Sequence, residues 1–455
     1  MNKSLWGSCA LLSIAVSCVS DEKQKAHPPN FIVIIADDAA WDDFGAYGNH
    51  SVRTPNIDEL AKKGLLFTNA FLTTSSCSPS RASILTGRYP HSTGAEELHM
   101  PLPMEQNLFP GELQKLGYYT ALAGKYHLGD IRPEFDTIYG GAPSGSEYWI
   151  EALNNRPKEM PFFFWFAALD PHRNYESGII ANPHSPADVI VPPYLPDNEF
   201  TREDLALYYD EISRLDSNVG LIISELIHQG VFENTVVILM SDNGRPFPRD
   251  KTRLYDSGIK TPFIVQWPAK IKPGVCDALI SAIDIAPTIL SLAGAGIPPV
   301  IQGQSFVHLF DNPNTSFRVH VFAEHNWHDF QAHERAVRSA NYLYIRNSFP
   351  ELNASPPADA VRSITFQAMI KMHDEGTLPP HQQDCFIFPR AAEELYDVVA
   401  DPYQMNNLVL NETYSGVLHE MRSTLDKWID DYNDVVPMNP TPDRFHRRTG
   451  NRLEN

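Results

Sequence analysis

The chain has 455 residues, 43% hydrophobic and 20% charged, the balance of a soluble globular protein with room for one large α/β core and a smaller second unit. Its 56 acidic against 36 basic residues give a formal charge of −20, which excludes a general nucleic-acid surface or a polybasic membrane patch. An anionic ligand must therefore be met by cations gathered in one pocket, not by the field of the whole molecule.

Residues 1–20 read as an export signal: Lys3 supplies a basic start, and Leu5 to Val16 is an apolar stretch too short to span a bilayer. Ala15-Val16-Ser17-Cys18 resembles a loose bacterial lipobox, in which Cys18 becomes the lipidated N-terminus. Ser20-Asp21-Glu22-Lys23 resembles the acidic tag on surface lipoproteins of some gut bacteria; the alternative is a plain signal cut near Ser20. The expectation is an exported protein, periplasmic or at the cell surface, touching membrane only through that lipid. Residues 21–29 are polar and proline-ended, a tether.

Asn30 to Ala36 is a near-continuous β-rich apolar run, as in a parallel strand buried on both faces, and it stops at Asp37-Asp38. Thr54 to Leu65 and Leu108 to Leu116 have helical spacing, and Tyr118 to Ala123 reads as a strand. Pro161 to Ala167 is a second buried strand, ending at Asp170-Pro171-His172. A long amphipathic helix covers Glu203 to His228. Thr235 to Met240 is a third strand, ending at Asp242-Asn243. Buried strands with polar ends, alternating with helices, predict a mostly parallel sheet with helices on both faces and a site at its carboxyl edge. Pro262 to Trp267 and Ile280 to Ala293 extend that unit. Beyond residue 318, short alternating strands at Val319–Ala323, Arg335–Ser339 and Tyr342–Arg346, then a helix at Val417–Tyr432, predict a smaller α+β unit with an antiparallel sheet.

The most specific signal is Cys77-Ser78-Pro79-Ser80-Arg81-Ala82-Ser83-Ile84-Leu85-Thr86-Gly87. The alternative for Cys77 is a small buried hydrophobe beside a helix start. Asp37, Asp38, Asp242 and Asn243, at two strand ends, form a hard-oxygen set suited to Ca²⁺ or Mg²⁺ and not to a soft metal. Taken alone, Asp-Asp is a common pair and Asp-Asn-Gly a good turn. No Cys/His cluster has zinc spacing, and five cysteines, two of them in the export segment, make no disulfide scaffold.

The Cys77 segment resembles the Cys-x-Pro-x-Arg…Leu-Thr-Gly signature of type I sulfatases. Gly124-Lys125-Tyr126-His127-Leu128-Gly129, Asp170-Pro171-His172 and Lys251 upstream of Tyr255-Asp256-Ser257-Gly258 resemble further segments of that family, in family order. The resemblance implies an alkaline-phosphatase-like fold and a calcium ion (magnesium being possible) on Asp37, Asp38, Asp242, Asn243 and residue 77. It also implies that a maturation enzyme oxidises Cys77 to formylglycine, whose hydrate is the nucleophile. Arg81 would hold that diol, and Lys125 and Lys251 would neutralise the sulfuryl oxygens. His172 would protonate the leaving group. His127 would then take the proton that lets the sulfo-enzyme intermediate expel sulfate. On this reading the chain divides into the signal (1–20), the tether (21–29), a catalytic domain (30–317), an α+β subdomain (318–436) and an extended tail (437–455).

Asp170-Pro171-His172-Arg173 and Ser241-Asp242-Asn243-Gly244-Arg245-Pro246-Phe247-Pro248 look most like the heparan N-sulfatase branch, which implies exo-action on glycosaminoglycan-derived saccharides with N-sulfoglucosamine preferred. Lys251, where the branch carries Arg, and Arg88-Tyr89-Pro90-His91 look like the broader family. An O-sulfatase acting on a glycosaminoglycan or mucin sugar is therefore the alternative. A phosphonate or phosphate ester hydrolase of the same superfamily and a non-catalytic glycan-binding lipoprotein are the more distant ones. His99, Arg173, His328 and Arg335 are the candidate sugar contacts.

Overall fold

The computed structural model describes Met1 and residues 28–454. The export segment with Cys18, and the tether before Pro28, lie outside the described residues. Strand β1 (Asn30–Ala36) is followed by α1 (Pro55–Lys63), β2 (Leu65–Phe67), β3 (Ala70–Phe71), α2 (Cys77–Thr86) and α3 (Phe109–Lys115). Next come β4 (Tyr119–Gly124), β5 (Thr137–Tyr139), α4 (Trp149–Asn155), β6 (Phe162–Ala167), α5 (Glu199–His228) and β7 (Thr235–Ser241). Helix α6 (Asp256–Ile259), β8 (Phe263–Gln266), β9 (Gly274–Cys276), β10 (Ile280–Ser281) and α7 (Ile285–Ala293) complete this part.

One eight-stranded sheet runs in the order β5-β4-β6-β1-β7-β8-β2-β9. From β5 to β7 all strands are parallel; β8 runs against both β7 and β2. Every residue of β1, β4, β6 and β7 is buried, because both faces are covered. Alternation sorts their side chains. Ile32, Ile34, Phe164, Phe166 and Leu239 pack with α1, α4 and α5 on one face. Phe31, Val33, Ile35, Trp165 and Ile238 pack with α2, α3 and α7 on the other.

The smaller sheet is antiparallel, in the order β11 (Val321–His325), β12 (Glu334–Arg338), β13 (Tyr342–Asn347), β14 (Glu393–Asp397). Between β13 and β14 the chain makes α8 (Ala358–Val361) and α9 (Ile364–Asp374), and after β14 it makes α10 (Ser415–Tyr432). Leu418, Met421, Leu425 and Trp428 of α10 cover one face of this sheet, on Val337, Tyr344 and Leu395. Its other face packs on Leu254, Tyr255 and Ile259 of the main unit. Residues 437–454 carry no helix or named strand, yet they turn back over the 326–331 loop: Trp327 donates to the carbonyl of Pro442 at 2.8 Å.

Helices α5, α8 and α9 depart from expectation. Helix α5 starts at Glu199, four residues before Glu203, because Asn198 caps it and accepts from the amide of Thr201. Helices α8 and α9 were not anticipated; Phe366 and Met369 bury against the core that α5 shares, so tertiary packing makes the helix. Cys77, Cys276 and Cys385 are all free and buried. Among the described residues no helix is long and apolar enough to cross a membrane.

Phe164 is fully buried, its ring centroid 5.2 Å from that of Phe162 and 5.0 Å from that of Phe166. Phe164→Ala should cost about 3–5 kcal/mol. Urea unfolding should show this as a lower midpoint with an unchanged m-value; a change under 1 kcal/mol would contradict the packing described.

Candidate active site at the carboxyl edge of the sheet

Four neighbouring parallel strands, β4, β6, β1 and β7, end at one height, and the ladder continues one step beyond them. Asp37 donates its amide to the carbonyl of Asp170 (3.0 Å), Asp242 to that of Ala36 (3.1 Å) and Lys125 to that of Ala167 (2.9 Å). These bonds fix where Asp37, Asp38, Lys125, Asp170 and Asp242 leave the sheet. Gly124 is needed for this geometry. Its φ is +103°, and a Cβ there would lie 1.8 Å from the carbonyl oxygen of Ala167.

Asp37, Asp38, Asp242 and Asn243 are all fully buried, and ligand atoms of the three carboxylates lie within 4.8 Å of one another. The protein satisfies only part of this set. Lys125 Nζ donates to Asp37 Oδ2 and Lys251 Nζ to Asp38 Oδ1, each at 2.5 Å. Asn243 Nδ2 donates to Asp38 Oδ1 at 2.7 Å. Asp242 accepts Arg81 Nε at Oδ2 (2.8 Å) and the amide of Asp38 at Oδ1 (3.2 Å). Asp37 Oδ1, Asp38 Oδ2 and Asn243 Oδ1 are left buried without a hydrogen bond. Such orphans are rare and call for a partner; hard oxygens of this kind fit a divalent Ca²⁺ or Mg²⁺.

Cys77 opens α2, at the positive end of a ten-residue helix in which every residue is buried. Arg81 follows one turn later on the same face. It reaches Asp242 and donates Nη1 to the carbonyl of Lys125 at 3.2 Å. Burial works against the charged guanidinium, but Asp242 and Asp37 together hold its pKa up. Lys125 and Lys251 likewise stay charged: burial opposes it, while Asp37 and Asp38 respectively push them up. Burial pushes the Cys77 thiol up despite Lys125 and Lys251, so as a plain cysteine it is a protonated, sluggish nucleophile.

The histidines surround this centre. His127 Nε2 lies 2.7 Å from His99 Nδ1. Both residues have left-handed backbones, φ 51° and 63°. Burial and then Lys125 depress both pKa values, so the pair is neutral and shares one proton between the facing nitrogens. His172 Nε2 sits 3.8 Å from Asp38 Oδ2 and 3.8 Å from Asp359 Oδ2.

The remaining sequence candidates have different surroundings. His328 is buried, and its Nδ1 meets the hydroxyl of Ser76 at 2.7 Å, next to Cys77. Arg173 is spent on Asp204 in a two-pronged pair, 2.7 Å on each side, and lies over Phe247. Arg335 is buried on Asp434, with Asn326 also accepting at 3.1 Å. His99 is partly exposed and reaches the centre through His127. Asp359, in α8, is the residue that sequence reasoning missed. Burial would raise its pKa, but Lys251, His172 and Arg173 hold it below the usual carboxylate range. It belongs to no motif, and only the packing of α8 brings it to His172.

A mostly parallel sheet with buried oxygen ligands, fixed cations and a cysteine at a helix start on its carboxyl edge is the layout of an alkaline-phosphatase-like hydrolase for tetrahedral oxyanions. A family model described as Sulfatase matches residues 29–155 and 145–295, and one described as N-sulphoglucosamine sulphohydrolase, C-terminal, matches residues 247–349. The N-sulphoglucosamine sulphohydrolase of Homo sapiens is 32% identical to this chain over 475 residues, covering 92% of each. An ulvan-active sulfatase of Formosa agariphila is 30% identical, covering 95% of this chain and 82% of its own. A solved structure in complex with its substrate D-glucosamine-2-N,6-O-disulfate shares the fold, with a TM-score of 0.71 at 20% identity, over 90% of this chain and 99% of that one. The chain belongs to the sulfatase family and is a hydrolase of sulfate esters or sulfamates. The family implies formylglycine and a divalent cation.

If the orphaned oxygens hold a cation, a chelator should lower the thermal midpoint of the wild type, and added Ca²⁺ should restore it. A ligand at 100 times its Kd adds about 2.7 kcal/mol. Asp38→Ala should melt at one temperature with or without chelator; equal melting of the wild type in chelator and in calcium would refute the site.

Proposed function

We propose that the protein is an exo-acting sulfatase of glycosaminoglycan-derived saccharides that prefers N-sulfoglucosamine and uses formylglycine made from Cys77. The observation that carries the reading is the set of buried oxygens left without partners beside Cys77, faced by three fixed cations. The saccharide part is supported by the match of residues 247–349 and by the human relative. The similarity to an ulvan-active sulfatase favours a second reading, an O-sulfatase on a sulfated polysaccharide.

Asp37, Asp38, Asp242 and Asn243, with residue 77, would hold the cation. When present, cation and formylglycine supply an activated oxygen nucleophile that an ordinary thiol does not. The chain's own residues do the rest. Arg81 positions residue 77 through Asp242 and the helix turn. Lys125, half-buried, and Lys251, buried, face the sulfuryl oxygens, whose charge they stabilise. His172 Nε2 delivers a proton to the leaving nitrogen or oxygen of the sugar. His127, neutral through burial and beside His99, accepts the proton from the oxygen on residue 77 when sulfate departs. Residues 1–20 support an exported protein, lipid-anchored at Cys18.

The test is a screen of N-, 2-O-, 3-O- and 6-O-sulfated mono- and disaccharides, with peptide mass spectrometry at residue 77. The expected result is release of sulfate from an N-sulfated sugar by protein carrying the aldehyde. Cys77→Ala should lose at least about 10⁴-fold in kcat while its melting stays near wild type. Turnover only of O-sulfated sugars moves the conclusion to the second reading, and full activity with an intact thiol overturns the mechanism.

A further inference from the structure

The cations at the centre are committed to the cluster and to the scissile sulfate: Arg81, Lys125 and Lys251 each lie against a carboxylate of the metal-type cluster. Arginines nearby are committed too, Arg173 to Asp204, Arg447 to Asp443 and Arg448 to Asp374. Arg444 differs. Among the described residues its guanidinium makes no ion pair and no side-chain hydrogen bond; it lies 6.0 Å from the ring centroid of Phe445, and the Asp329 carboxylate feels its charge without pairing with it.

Its backbone is nonetheless held on both sides. The amide of Arg444 donates to the carbonyl of Asp329 at 2.8 Å, and its own carbonyl accepts from Leu453 at 2.9 Å. Around it the returning tail is fastened to the site. Thr441 donates to Glu97, two residues before His99, at 2.8 Å, and Asp443 accepts the amide of Gln331 at 2.7 Å. Asp329 follows His328, whose ring holds Ser76 beside Cys77. Arg444 is half-buried and close enough to His99 to help depress its basicity. A guanidinium fixed by its backbone, in no ion pair among the described residues of a chain of charge −20, and placed at the rim of an anion-cleaving centre is pre-organised for a second anion.

We propose that Arg444 is a specificity-determining residue that binds a second anionic group of the substrate, a neighbouring sulfate ester or uronate carboxylate, distinct from the sulfate being removed. The inference rests on the saccharide reading above. The contact forms on binding and persists through the reaction, so its loss raises KM and leaves kcat in place.

The test compares wild type, Arg444→Gln and Arg444→Lys on three substrates sharing one scissile sulfate: glucosamine-2-N-sulfate, glucosamine-2-N,6-O-disulfate and a disaccharide of N-sulfoglucosamine with a uronate. If the screen shows O-sulfatase action, the same design uses an O-sulfated sugar with and without each second anion. Arg444→Gln should raise KM on the order of 10-fold or more for at least one substrate with a second anion and leave the monosulfated sugar unchanged. Arg444→Lys should recover part of the loss. Whether the 6-sulfate or the uronate arm responds tells which anion is read. Equal losses on all three substrates, or none on any, overturn the proposal. A wild type that cleaves aryl sulfate but no sulfated sugar overturns the saccharide reading and this inference with it.

Discussion

Asp37, Asp38 and Asp242 are held out of water within 4.8 Å of one another, and at that spacing like charges in a low-dielectric interior repel strongly. Three positive side chains make the arrangement tenable, each from a different part of the chain: Arg81 from α2, Lys125 from the end of β4, Lys251 from the loop after β7. Three carboxylates against three cations leave no formal charge among these six groups. Two carboxylates still keep one buried oxygen without a partner. A divalent ion, as the family implies, would satisfy those oxygens and make the centre net positive, as a sulfate monoanion requires. Much of the fold serves this balance. The parallel ladder levels the strand ends, and Gly124 lets β4 approach β6 closely enough to place Lys125 over Asp37.

The same balance gives the neighbouring groups their character. Burial, and after it the charged Lys125, keeps the His127 imidazole neutral, so a ring nitrogen is free to accept a proton although the ring is a weaker base than in water. Cys77 gains from the helix start and the lysines but loses more from burial. A cysteine there is better used as raw material than as a nucleophile.

Much of the centre was legible in the sequence because its parts are local. Apolar runs ending in Asp37-Asp38 and Asp242-Asn243 reveal buried strands and what stands at their ends, and the Cys77-to-Gly87 run is short and chemically unusual. The small unit was legible in type but not in detail. Its fourth strand, β14, and its helices α8 and α9 are stabilised by contacts with distant elements such as α5. The candidate sugar contacts were the least legible. Arg173, His328 and Arg335 look alike in sequence, yet one packs on Asp204, one steadies Ser76 and one is buried on Asp434.

By itself the sequence determined the parallel sheet, the carboxylates and amide that stand at its strand ends and the unusual Cys77 segment, because hydrophobic period and short motifs carry that information within a few residues. The tertiary structure alone decided which carboxylate oxygens stay unpaired, that Asp359 stands beside His172, and that Arg444 makes no ion pair among the described residues. Those outcomes depend on pairings between residues far apart in the chain, and whether a charged side chain finds a partner within a few ångströms is a property of folded geometry that no local pattern encodes.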